Sequence, residues 1–94
     1  MKRLLWKGEK LTLIKRLFQT NGTMTVFLID DTKFPLVTVN LNVPSVILKA
    51  DEIIVNDFGN NEGIKQVLID AKCLYPTGNW VQFENELCEI CRVL

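Results

Sequence analysis

The chain is 94 residues long, 48% apolar and 23% charged, the composition of one ordinary globular domain and not of a disordered, collagenous or transmembrane chain. Eleven Lys and Arg balance eleven Asp and Glu, so global charge recruits neither nucleic acid nor an anionic membrane. Histidine is absent, which excludes His-based acid–base catalysis, every triad with a His member and every zinc site with a His ligand.

Met1 to Trp6 places Lys2 and Arg3 ahead of Leu4-Leu5, like the start of a secretory signal. The apolar stretch then stops at Lys7, Gly8, Glu9 and Lys10, too soon for a signal core. No uncharged run reaches the ~18 residues that cross a bilayer. Three cysteines are an odd number, unlike the paired framework of a small secreted domain. These features predict a cytoplasmic, reduced chain without membrane contact. Residues 1–94 read as a single domain, with residues 1–9 a candidate for a loosely ordered basic arm.

Residues 11–19 are rich in Leu, Ile and Phe with imperfect alternation, which predicts a strand with room for a bulge. Asn21-Gly22 then predicts a tight hairpin, because both central residues of a type I′ turn need φ > 0. The return strand, Met24 to Asp30, is apolar on both faces: Val26 and Leu28 against Phe27 and Ile29. Such a strand is expected at the centre of a sheet and covered on both sides. Asp30-Asp31-Thr32-Lys33 predicts a polar turn. Leu36 to Leu41 alternates cleanly, with Val37, Val39 and Leu41 opposite Thr38 and Asn40, and reads as a half-buried strand. Val46 to Lys49 is ambiguous, and Glu52 to Asn56 is a short strand.

Ile64, Val67, Leu68 and Ala71 fall at i, i+3, i+4 and i+7 and form one apolar stripe. A helix of about three turns over residues 60–71 is expected, capped by Asn60 or Asn61, with Glu62 at the positive end of its dipole. Cys73-Leu74-Tyr75 is extended, Pro76-Thr77-Gly78-Asn79 turns the chain, and residues 80–83 and 87–93 pair as a final hairpin. The pattern predicts an α+β fold in the order β-β-β-β-α-β-β. Five to six mainly antiparallel strands would make one sheet, with one amphipathic helix on one face.

Cys88-Glu89-Ile90-Cys91 has the spacing of a redox or metal pair. Within an alternating strand, however, residues three apart point to opposite faces, so the two thiols cannot share a disulfide or a zinc ion. Buried structural cysteines are the better reading. Asp57, Gly59, Asn61 and Gly63 mimic the alternating ligands of a calcium loop, but the bidentate Glu would fall on Leu68 in the apolar stripe. The paired acids Asp30-Asp31, Asp51-Glu52 and Glu84/Glu86 sit at turns, where carboxylates are solvated and unsuited to acid–base work. No phosphate-cradling glycine motif is present. The residues therefore nominate no catalytic, cofactor or metal site, and no cofactor is expected.

Charge is uneven along the chain. Residues 1–48 carry seven basic and three acidic residues, a balance of +4, whereas residues 49–94 carry four basic and eight acidic, a balance of −4. Lys2, Arg3, Trp6 and Lys7 combine cations with an aromatic ring, the chemistry that grips single-stranded nucleic acid. A near-neutral domain nevertheless lacks the usual basic footprint of such binders.

The segments Ala50-Asp51-Glu52-Ile53-Ile54-Val55, Asn61-Glu62-Gly63-Ile64 leading to Leu68, Tyr75-Pro76-Thr77-Gly78 and the final hairpin resemble a family of short bacterial proteins. That family is catalogued as domain of unknown function 4313. Val37-Thr38-Val39-Asn40-Leu41 fits the pattern more loosely, and the likeness spans roughly residues 24–94. It implies a small cytoplasmic α+β protein of conjugative transposons and related mobile elements. The family has no assigned activity, so the resemblance carries over no site residue. Two functions follow as expectations. The first is a non-enzymatic module that binds another protein or itself through a sheet face or edge. The alternative is a nucleic-acid-binding accessory that uses the basic N-terminal segment.

Overall fold

The computed structural model describes residues 2–17 and 24–94. Its described elements are β1 (Lys2–Trp6), β2 (Glu9–Leu17), β3 (Met24–Ile29), β4 (Pro35–Thr38), β5 (Asn40–Leu41), β6 (Glu52–Val55), a 3₁₀ turn (Gly59–Asn61), α1 (Ile64–Asp70), β7 (Leu74–Phe83) and β8 (Glu86–Val93). The α+β class and antiparallel pairing are as expected, but eight strands form two sheets instead of five or six forming one. The first sheet runs β1-β2-β3-β4 and the second β5-β6-β8-β7.

Three departures from the sequence pattern account for the difference in strand number and sheet division. Lys7 and Gly8 have φ of 49° and 82°, as a two-residue type I′ loop requires. They fold Lys2–Trp6 back on β2, with Leu4 opposite Leu11. The N-terminal residues are thus a paired strand and not a loose arm. Next, the strand expected over 36–41 breaks at Val39, where the chain leaves the first sheet for the second. There the Asn40 side chain imitates a strand backbone: Oδ1 accepts from Val26 N at 2.9 Å and Nδ2 donates to Met24 O at 3.0 Å. Finally, Pro76-Thr77-Gly78-Asn79 is no turn. It lies inside the ten-residue β7 as an irregularity of pairing with β8, and Gly78 takes the φ of 81° that the bulge demands. The expected Asn21-Gly22 hairpin lies outside the described residues.

One core joins both sheets and the helix. Leu4, Leu11, Leu13, Val26 and Leu28 from the first sheet meet Ile53, Val55, Leu74, Cys91 and Val93 from the second, with Ile64 and Leu68 of α1 packed among them. Fully burying a Leu, Ile or Val contributes roughly 1.5–3 kcal/mol each, so this layer dominates the folding energy. A smaller cluster lies on the far side of the second sheet. Ile54, Cys88 and Ile90 are there covered by Val43, Val46 and Leu48 of the loop after β5, together with Phe58 and Phe83. The ambiguous stretch Val46 to Lys49 is therefore covering loop, not strand.

The helix is shorter than expected, seven residues from Ile64 to Asp70. Ile64 and Leu68 are fully buried, while Val67 and Ala71 are partly buried against the same core. Neither Asn60 nor Asn61 caps it. The cap position is Gly63 at φ 92°, a left-handed conformation that L side chains rarely adopt. Asp57 Oδ1 instead accepts from Lys65 N at 2.9 Å. Asn61 is used elsewhere, donating from Nδ2 to Thr38 O at 2.8 Å. Lys72, at φ 60°, ends the helix, and Cys73 N donates back to Leu68 O at 2.8 Å, the pattern of a Schellman stop.

Candidate interaction surface

The alternation of each strand sorts the first sheet into an inner and an outer face. Leu4, Leu11, Leu13, Val26 and Leu28 face inward to the shared core. Their neighbours Arg3, Leu5, Lys10, Thr12, Ile14, Arg16, Thr25, Phe27, Ile29, Leu36 and Thr38 face outward. The register sets Arg3 beside Thr12, Thr12 beside Ile29, Ile14 beside Phe27 and Phe27 beside Thr38. Leu5, Ile14, Phe27, Ile29 and Leu36 belong to neither buried cluster of described residues. Leu5 is 60% and Leu36 43% exposed. β3 is therefore interior to its sheet, as expected, but among the described residues its outer side chains Phe27 and Ile29 join no buried cluster and stay half-buried.

The charges on this face have one sign. Arg3, Lys10 and Arg16 are exposed there, and its strand positions carry no carboxylate. The Arg16 guanidinium lies 5.8 Å from the centroid of the Phe27 ring, an arrangement that holds the cation over the apolar centre. The surface is an apolar sheet face with a basic rim.

The four N-terminal candidates divide between the two faces. Lys2, Trp6 and Lys7 gather on the inner side, around α1. Lys2 Nζ donates to Lys72 O just past the helix. Lys7 Nζ donates to Asn60 O at 2.9 Å and lies 5.3 Å from the Trp6 ring centroid. The Trp6 ring stands 3.8 Å from where a Gly63 Cβ would be, an ordinary packing distance, so it is the φ of 92° and not the tryptophan that calls for glycine there. Only Arg3 joins the outer face. The structure does not bring the four together as one gripping surface.

A second cluster surrounds Glu89, which the sequence pattern does not single out. Glu89 is 7% exposed. Its Oε1 accepts from Lys65 Nζ at 3.0 Å, and its Oε2 from Gly78 N at 3.1 Å. The Lys65 ammonium also stands 4.5 Å from the Trp80 ring centroid. One carboxylate thus ties the β7 bulge to the helix. Beside it a cleft of about 60 Å³ is lined by Asp57, Phe58, Lys65, Trp80, Glu86, Leu87, Cys88 and Glu89. The sequence signal was a Glu on the strand face shared with Cys91 and Val93, a position that buries a charge and so demands a partner.

The remaining candidates have structural duties. Asp30 accepts from Thr32 Oγ1, Thr32 N and Phe34 N at 2.6, 2.9 and 3.0 Å, and the Thr32 hydroxyl leads in holding its carboxyl below the usual range. Asp51 pairs with Arg92 Nε at 2.8 Å, which likewise lowers its carboxyl. Glu52 Oε1 accepts from Lys49 N at 2.9 Å. Cys73, Cys88 and Cys91 are free and buried. Cys91 lies in the shared core and Cys88 in the smaller cluster, so the pair does occupy opposite faces of β8. Burial pushes the Cys91 thiol up to about 12, with the neighbouring Glu89 charge acting in the same direction.

Among the described residues no helix is long and apolar enough to cross a membrane. Compared with family models, curated proteins and solved structures, the chain matches none.

Proposed function

We propose that this chain is a small non-enzymatic protein-interaction module whose docking surface is the outer face of the first sheet. The observation that carries the reading is the apolar side chains of that face, half-buried Ile14, Phe27 and Ile29 on its two inner strands and exposed Leu5 and Leu36 on its edge strands, set among Arg3, Lys10 and Arg16. Contiguous apolar surface rimmed by polar groups marks interaction sites in soluble proteins. Four of these five apolar residues are aliphatic, which suits a protein surface better than stacked bases. A partner with an acidic rim would be steered to this face and held in register by it. A role in a bacterial mobile element rests on the family resemblance alone.

The test is affinity capture from the native host with the full chain, a Lys10→Glu/Arg16→Glu variant and a Ser45→Glu control in the loop that covers the second sheet. A protein retained by the wild type and the control but lost by the double variant supports the reading. Capture indifferent to the double variant overturns it.

A further inference from the structure

The reading above leaves the partner open, and the molecule carries a surface complementary to its own basic face. At the turn end of the β7–β8 hairpin Trp80 is 48% and Leu87 62% exposed. Glu86 and Glu89 line the same cleft as these two side chains, together with Asp57, and Lys65 supplies a single cation. That cation is already held by Glu89 at 3.0 Å, so the cleft keeps a surplus of negative charge. Glu84, exposed in the turn, adds to it. This is an apolar surface with an acidic rim.

We infer that the occupant of the basic sheet face is the acidic hairpin end of a second copy of the chain. The two surfaces match in kind: aliphatic side chains around Phe27 against Trp80 and Leu87, and Arg3, Lys10 and Arg16 against Glu84, Glu86 and Asp57. They cannot meet within one chain, because the outer face points away from the core that joins the first sheet to the second. Segregation of charge, +4 in residues 1–48 and −4 in residues 49–94, leaves a net charge of zero. No overall repulsion then keeps copies apart. The contact is heterologous, different surfaces of successive copies, so it repeats head to tail and closes into a ring or extends.

The inference rests on the docking role of the outer face, and the experiment separates the two. Sedimentation equilibrium of the full chain at rising concentration should give a mean mass that climbs above 10.8 kDa at low salt. High salt should bring it back down, because exposed charges are then screened. Lys10→Glu/Arg16→Glu and Glu84→Lys/Glu86→Lys should each stay monomeric alone, since both place like charges on face and hairpin. All four positions are exposed, and an unchanged circular-dichroism melt establishes that the variants fold. Mixed in equal amounts, the two variants should associate again, because each supplies the surface that the other lacks.

A wild type that stays monomeric throughout overturns the second copy as occupant while leaving host-protein capture by the face to stand on its own. Self-association of the Glu84→Lys/Glu86→Lys variant equal to wild type overturns it in favour of face-to-face pairing, and a mixture that fails to associate overturns it too. Binding of a labelled single-stranded oligonucleotide, abolished by Lys10→Glu/Arg16→Glu, would assign the face to phosphate and overturn any protein occupant.

Discussion

Each of the two sheets has four strands and gives one face to the shared core, and their other faces differ in how apolar residues meet water. On the second sheet, Ile54, Cys88 and Ile90 are roofed by the chain itself, through Val43, Val46, Leu48, Phe58 and Phe83. On the first sheet, half-buried Ile14, Phe27 and Ile29 belong to neither buried cluster, and among the described residues they have their strand neighbours and the reach of Arg16. The loop that roofs one sheet runs between β5 and β6, a connection internal to the second sheet. The described connections of the first sheet are the tight Lys7-Gly8 loop and the turn after β3, neither of which has residues to spare for a roof. Among the described connections, length decides which sheet face receives a roof.

The shared core should dominate any measure of stability. Leu68 is fully buried there, and truncating such a residue to Ala costs about 2–5 kcal/mol, a large part of the roughly 5–15 kcal/mol that holds a domain of this kind. Leu68→Ala should lower the melting temperature by ~10 °C or more, while the exposed Gln66→Ala should barely move it. Equal small shifts would show that the helix is not part of the layer joining the sheets.

The two thiols of β8 compare the faces by pH. Burial raises both, but Cys91 in the shared core reaches about 12, with Glu89 contributing, whereas Cys88 in the smaller cluster is raised by burial and then by Glu86. A thiol whose folded value lies above its unfolded one keeps its proton more tightly in the native state. Its stabilising contribution is complete below the ordinary thiol range and is lost as pH rises from there towards about 12. Urea denaturation at a series of pH values should show stability falling across that window, with Cys91→Ala removing more of the slope than Cys88→Ala. Equal slopes in wild type and Cys91→Ala would place that thiol in an environment as wet as an unfolded chain.

What could be read from sequence follows the range of the interaction concerned. The stripe Ile64, Val67, Leu68 and Ala71 located the helix, because burial of one face imposes its own period. The opposite placement of Cys88 and Cys91 was equally legible, since it needs only the two-residue repeat of a strand. The division into two sheets was not. It depends on Asn40 bonding to β3 across 14 and 16 residues, and a polar residue in an alternating strand looks like ordinary solvent face. Pro76 to Asn79 misled for a similar reason: turn-forming residues build bulges too, and only pairing with Ile90 and Cys91 decides between them. The proposed docking surface is half legible. Phe27 and Ile29 opposite Val26 and Leu28 signalled two apolar faces, but local pattern does not reveal whether something distant covers the second.

The smallest expected effect bears most directly on that surface. If the outer face of the first sheet is bare in the folded chain, Leu5, at 60% exposure, is hydrated before and after unfolding, and its substitution changes little. Leu5→Thr keeps a residue suited to a strand and should shift stability by no more than about 0.5 kcal/mol. Ile90→Ala, under the roof of the second sheet at 9% exposure, should cost about 2 kcal/mol or more. Both are measured in dilute solution, where association between copies is weakest, so the readout belongs to the single chain. The comparison is decided by the ratio. A large loss for Leu5→Thr would mean that some part of the chain lies over the first sheet and shares its apolar centre. The face would then be a second core instead of a place for a partner, and the basic rim of Arg3, Lys10 and Arg16 would be its edge.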